Sequence, residues 1–234
     1  MPHFRLISFD LCPYVQRCVV TLREKNITHD VDYIDLGDRP NWFVELSPLG
    51  KVPVLEVTRD DGTKVVLFES VVINEYLDEV TEGSMLPSDP LERAHCRAWI
   101  EFGNALLSDA FDVTSAKDEA ALSKILDKLG DKLSRLEREI MGGPFFLGAK
   151  VSLVDVALTP ALQRLTWANE LHPAMAIFDA RPKVAGLWRA LAERESVRSS
   201  APSDLRQQFN RMVGRDRGGY KSIVGARAAT LIDG

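Results

Sequence analysis

Cys12 is the residue of this 234-residue sequence whose type and placement point most directly to chemistry. It follows a short apolar-rich run, Phe4 to Phe9, and the turn residues Asp10-Leu11, and it precedes Pro13 and an apolar series at Val15, Val19 and Leu22 with helical spacing. The pattern predicts a strand feeding a helix that opens on Pro13, a position where the missing proline N–H is no loss. Cys12 then occupies the N-cap region, facing unpaired backbone N–H groups and the positive end of the helix dipole, both of which favour thiolate over thiol. Cysteines so placed reach pKa values of roughly 3.5–7.5, which makes Cys12 an expected nucleophile at neutral pH. The plainer reading of the same residue is a buried structural cysteine.

Cys12-Pro13-Tyr14-Val15 resembles the Cys-Pro-Tyr-Cys of glutaredoxins, with Val15 in place of the second cysteine. Cys18 lies about 240° round the helix from Cys12 and is expected to pack rather than pair. A redox cycle at Cys12 then needs an outside thiol to resolve its mixed disulfide. Val52-Pro53, after Leu49-Gly50-Lys51, is a second signal: a cis bond there exposes the Val52 backbone, and an ordinary trans proline at a strand edge is the alternative. Glu69-Ser70 is a third, just before a predicted helix, where a hydroxyl and free amides can hold an anion and a carboxylate an ammonium. A plain helix cap explains the same pair without a ligand.

The elements that position these residues can be read from periodicity. Strands are predicted at Phe4–Phe9, Asp30–Leu36, Val52–Val57 and Lys64–Phe68, the last two joined through Arg59-Asp60-Asp61-Gly62, a hairpin signal. Helices are predicted after Cys12, within Arg39–Leu46, and over the series Val71 to Val80. The order βαβ, short helix, ββα suits an α/β layer with a mixed four-stranded sheet. A Gly/Ser/Pro-rich stretch at 83–90 is the expected linker between a domain at 1–82 and an all-helical one at 91–234, where Leu91 to Ala110 and Leu122 to Ile140 keep helical spacing. Ser152-Leu153-Val154-Asp155 has the form of a capping box, with Val151 and Val156 placed as a staple. The end, from about Gly214, lacks periodicity and is expected to be mobile.

Composition narrows the classes of function. With 45% apolar and 27% charged residues the chain has the make-up of a globular protein, and its formal net charge is −5. Residues 1–86 carry 8 basic and 15 acidic side chains and residues 87–234 carry 21 and 19, so an acidic first domain disfavours nucleic-acid binding. The basic tail residues Arg211, Arg215, Arg217, Lys221 and Arg227 are taken as a solvated segment. No apolar run approaches a membrane span, and Met1-Pro2-His3-Phe4-Arg5 lacks a signal-peptide layout, so no membrane partner and a cytoplasmic location are expected. Three scattered cysteines suggest a reducing compartment, and four dispersed histidines suggest no metal site.

Together these motifs resemble the cytosolic glutathione transferase family. Ser8-Phe9-Asp10-Leu11-Cys12-Pro13-Tyr14-Val15-Gln16-Arg17 is similar to its omega-type, cysteine-containing class and to the plant dehydroascorbate reductase and lambda classes. The likeness continues through Arg39-Pro40-Asn41-Trp42-Phe43, Gly50-Lys51-Val52-Pro53, Phe68-Glu69-Ser70 and, in the second half, Phe146-Leu147-Gly148 with Ser152 to Leu158. The resemblance implies a thioredoxin-like first domain before an all-α second domain, and glutathione as co-substrate. It implies that Cys12 faces the glutathione sulfur, that the Val52 backbone before a cis Pro53 pairs with the cysteinyl unit, and that Glu69 and Ser70 hold the γ-glutamyl end. Arg39 stands near the expected glycyl carboxylate where the class has Lys, and Tyr14 where it often has Phe. An apolar second-substrate pocket lined by Trp99, Phe102 and Trp167 is expected between the domains, and a homodimer is implied.

A cysteine where other classes place Tyr or Ser implies thiol transfer, because a thiolate attacks a disulfide or glutathionyl thioether itself. Disulfides, dehydroascorbate and glutathionyl adducts are the expected substrates. The reading from another class is a non-catalytic regulator of the same fold that binds a protein partner. Intact Cys12, Val52-Pro53 and Glu69-Ser70 argue against it.

Overall fold

The structure is a computed structural model and describes residues 2–214 and 223–224. Of the tail expected to be mobile, Gly214 closes a helix and Ile223 and Val224 pack with the helical core, while Arg215, Arg217, Lys221 and Arg227 lie outside the described residues.

The first half is built round β1 (His3–Ser8), whose Leu6 and Ile7 are fully buried. After α1 (Pro13–Glu24) the chain returns as β2 (His29–Tyr33), parallel to β1, as a helical crossover allows. A short α2 (Asn41–Leu46) leads to β3 (Val54–Thr58) and β4 (Lys64–Phe68), both antiparallel to their neighbours, and α3 (Ser70–Glu79) closes the unit. The sheet order is β2-β1-β3-β4, with Leu6 between Val31 and Leu55. The turn signal is met by Gly62 at φ 83°, which supplies the left-handed conformation, and by the Asp61 carboxylate accepting from Thr63 N at 2.8 Å.

Two strands differ from their sequence readings. β2 stops at Tyr33 because its partner β1 ends at Ser8; one further bond, Ile34 N to Ser8 O at 2.9 Å, closes the pair before Gly37 N turns back onto Asp35. β3 starts two residues late, since Pro53 has no N–H for a ladder; the Val52-Pro53 peptide before it is cis.

The second half comprises α4 (Pro90–Thr114), α5 (Glu119–Glu139), α6 (Leu153–Leu171), α7 (Pro182–Ala192), α8 (Glu195–Arg198) and α9 (Leu205–Gly214). Asp89 caps α4, accepting from Leu91 N and Glu92 N at 2.9 and 3.0 Å. α6 is the axis of the bundle and is buried on nearly every side. Gly103 lets α4 lie against it: a Cβ at 103 would meet Ala157 at 3.2 Å. The capping box at the start of α6 is formed, with Asp155 fully buried and accepting from Ser152 N and Phe146 N, each at 2.8 Å.

α1 serves both halves. Val15, Cys18, Val19 and Leu22 pack with the sheet, while Val20 belongs to the apolar core of the helical half. Gln16, buried on the same helix, donates to Gln163 at 2.9 Å and to Ser200 at 3.1 Å. At the far end of α1, Glu24 takes a two-pronged ion pair from Arg194 at 2.6 and 2.7 Å. Among the described residues no helix is long and apolar enough to cross a membrane.

Candidate functional site

Cys12 is the N-cap of α1 and Pro13 its first residue, so the local sequence rule is obeyed in three dimensions. The half-buried Sγ makes a weak contact with Val52 O at 3.8 Å, which brings the first two sequence motifs together. The expected thiolate does not follow from this placement. Burial pushes the Cys12 thiol above its ordinary value, against the amides of Val15 and Tyr14 and the guanidinium groups of Arg164 and Arg17, which pull it down. Desolvation wins because the sulfur is sunk between two domains, a depth that the one-dimensional pattern does not carry. Cys18 is a packed, free cysteine, near Tyr14 O and Ser70 O at 3.7 and 3.9 Å, and complete burial pushes its thiol strongly upward.

Two cavities meet at this point. The smaller, about 410 Å³, is bounded by Tyr14, Val52, Pro53, Glu69 and Ser70, all singled out from the sequence. Ser47, Lys51 and Asn104 add to its polar wall. Lys51 stood inside the Gly50-Lys51-Val52-Pro53 motif, whereas Asn104 comes from α4 and carries no local signal. Glu69 is the N-cap of α3 at φ 69°, a conformation that costs a non-glycine residue on the order of 1–3 kcal/mol and that collects at functional sites. It makes no side-chain cap bond, and Ser70, buried, is the first helical residue rather than the cap. Arg39 does not line this cavity; it is exposed, and its Nε donates to Leu36 O at 3.1 Å beside Gly50.

The larger cavity, about 580 Å³, opens on the other side of Tyr14 and includes Cys12 itself. Leu107 and Phe111 of α4 and Phe209 and Met212 of α9 make it apolar, and Arg164 of α6 and Asp112 are its charged members. Trp99, Phe102 and Trp167, the expected lining, are not among the residues that bound this cavity. Trp99 stacks on Phe102 and Phe146, with centroids 4.7 and 5.5 Å away, and Trp167 lies behind Phe209 at 5.2 Å. At about 1.5 Å per residue, Trp99 is roughly 12 Å along α4 from Leu107, which does line the cavity. Helical spacing fixes the face of a residue, not its height opposite a partner.

Arg17 and Arg164 were not singled out as chemical residues. Arg164 donates to Gln16 Oε1 at 2.9 Å, Pro160 O at 3.2 Å and Leu11 O at 3.1 Å; Arg17 bonds Asn104 Oδ1. Burial lowers each guanidinium to about 10. Among the described residues no group of His, Cys, Asp and Glu is arranged to hold a metal ion.

Residues 11–80 match the family "Glutathione S-transferase, N-terminal domain", and residues 119–189 the corresponding C-terminal domain. The chain is 34% identical to glutathione S-transferase omega-1 of Rattus norvegicus over 199 residues, 84% of this chain and 79% of the relative. It is 31% identical to glutathione S-transferase DHAR2 of Arabidopsis thaliana over 191 residues, covering 81% and 83%. The crystal structure of glutathione transferase Omega 3C from Trametes versicolor is similar with TM-score 0.74 and 27% identity, over 84% of this chain and 88% of that one.

Proposed function

The chain belongs to the glutathione S-transferase family, in its omega-like class, and from that premise we propose that it is a glutathione-dependent thiol transferase or reductase with Cys12 as nucleophile. One observation carries the reading: a cysteine sulfur, not a hydroxyl, stands where the polar cavity at Val52 meets the apolar one.

Glutathione occupies the polar cavity. The Val52 backbone pairs with its cysteinyl unit, Glu69 holds the γ-glutamyl ammonium, and Ser70 with the first amides of α3 takes the adjoining carboxylate. Lys51 on the cavity wall, rather than Arg39, receives the glycyl carboxylate, and Tyr14 forms the partition. In a glutathionylated substrate the glutathionyl part takes this polar cavity and the remainder lies in the apolar one. The Cys12 thiolate attacks the glutathione sulfur, the substrate thiolate leaves with the electron pair of the broken bond, and Cys12 becomes a mixed disulfide with glutathione. Few Cys12 groups are ionised at neutral pH, but a high-pKa thiolate is intrinsically the stronger nucleophile. Disulfides and glutathionyl adducts follow this step; dehydroascorbate is the third substrate class and enters as the two-electron oxidant, the Cys12 thiolate adding to its carbonyl and a glutathione thiolate then attacking the Cys12 sulfur, so that ascorbate leaves with the electron pair of the C–S bond and the same mixed disulfide is formed. We assign the protein to the cytoplasm, in keeping with its three free cysteines, and to a homodimer; the exposed Phe68 and Val72 offer apolar surface for the contact.

The test is glutathione-dependent reduction of a small mixed disulfide by the wild type and by Cys12→Ala, with chlorodinitrobenzene conjugation alongside. Disulfide turnover is lost in the variant, and conjugation is weak in both. Full turnover by Cys12→Ala refutes the mechanism.

A further inference from the structure

Arg17 and Arg164 are a pair of buried cations without an anion. Arg17 is fully buried, and its Nε and one terminal nitrogen have no hydrogen-bond partner among the described residues. Neither guanidinium forms an ion pair with a carboxylate among the described residues; Glu101 reaches Arg17 only through Asn104, whose Nδ2 donates to it at 2.9 Å. A buried charge left in this state is expensive unless an opposite charge arrives. The remaining titratable neighbours of Cys12 are Asp10 and Tyr33 on one side, Tyr14 and Cys18 on α1 and Asp112 across the apolar cavity; none of them is hydrogen-bonded to either arginine, and Tyr14 meets Arg17 only through its ring, 5.4 Å from the guanidinium. Arg164 lines the apolar cavity together with Cys12, and the charge of the Cys12 sulfur acts on both guanidinium groups, beside Tyr14, Cys18 and Glu101 in the case of Arg17.

We propose that Arg164, reaching across from α6, and Arg17 on α1 are positioning residues for Cys12, forming a counter-ion that is complete only when the sulfur carries its negative charge. This rests on Cys12 being the nucleophile. The two arginines act twice in the cycle. In the first step they favour the attacking thiolate. In the second, the thiolate of another glutathione attacks the glutathione sulfur of the mixed disulfide, a new S–S bond gives glutathione disulfide, and the electron pair of the broken bond stays on Cys12 Sγ beside the guanidinium groups. A better-stabilised leaving thiolate departs faster. The bond from Arg164 to Leu11 O fixes the residue immediately before Cys12, so the same side chain sets both position and charge.

The experiment needs no glutathione. Alkylation of Cys12 by iodoacetamide in the full chain is followed by peptide mass from pH 6 to 10, with Cys12→Ala as background, for the wild type, Arg164→Met, Arg164→Lys and Arg17→Met. Arg164→Met reacts about 3–10-fold more slowly at pH 7.5, its profile displaced to higher pH, as a shift of half to one pKa unit requires. Arg17→Met is displaced in the same direction, and Arg164→Lys stays within about twofold of the wild type because it keeps the cation. If Arg164→Met does not fold, Arg164→Gln, which retains an amide donor, is read in its place. A variant profile that superimposes on the wild type overturns the proposal, as does a Lys variant displaced as far as Met. Displaced profiles in an enzyme without disulfide turnover would instead count against the proposed function alone.

Discussion

Replacing Asp155 by Ala removes the acceptor on which the start of α6 is built. The carboxylate is fully buried and receives Ser152 N and Phe146 N at 2.8 Å and Ser152 Oγ at 2.6 Å. The hydroxyl can rotate to another acceptor, but the two backbone amides cannot. Each buried donor left without a partner costs roughly 1–3 kcal/mol, giving about 2–6 kcal/mol for the pair. Removal of the carboxylate also relieves a buried charge, which burial already makes reluctant to ionise, so the lower half of the range applies, about 3 kcal/mol. For a chain of this length that corresponds to a fall in melting temperature of roughly 6–12 °C. Urea unfolding read by tryptophan fluorescence gives the value, since Trp99, Trp167 and Trp188 all pack against the helical core. Asp155→Asn, which keeps one carbonyl acceptor, falls between wild type and Ala. A change below about 0.5 kcal/mol in Asp155→Ala, with an unaltered slope, would mean that water or a backbone shift satisfies the two amides and that the capping box is not what holds α6.

Two further outcomes follow from the site. Glu69→Gly relaxes the positive φ and raises stability by about 1 kcal/mol while weakening glutathione binding; calorimetric titration and thermal unfolding on the same sample check both, and unchanged affinity removes Glu69 from the site. In the unliganded chain, the pH of half-maximal Cys12 alkylation lies above that of free cysteine, because burial outweighs the helix-end amides. A midpoint at or below the free value would show that the dipole and the two arginines dominate instead.

Local signals were the most legible. Cys12-Pro13 marked the start of α1, Ser152 and Asp155 marked that of α6, and Asp61-Gly62 marked the hairpin, since each is decided by residues within a few positions of one another. The polar cavity was legible to the same degree, its Val52, Pro53, Glu69 and Ser70 being loop and cap residues beside recognisable strands. What escaped was set by packing between distant segments. Arg164 and Asn104 reach the site from helices whose periodicity declares an apolar face but not its height. The same gap leaves Trp99, Phe102 and Trp167 outside the lining of the apolar cavity, and it hid the burial that turns the Cys12 thiol away from the expected direction.

The double allegiance of α1 bears on how such a chain can be recombined. With Val19 in the sheet core, Val20 in the helical core and Gln16 bonded to Gln163 and Ser200, one helix supplies a wall to each half. A chimera cut at the connection between α3 and α4 therefore divides a shared wall, however tidy the cut looks along the chain. A graft that imports a foreign helical half must carry matching partners for Gln16, Arg17 and Val20, or rewrite those three residues with it. The natural unit of exchange here is a contact surface, and its seam runs down the length of α1.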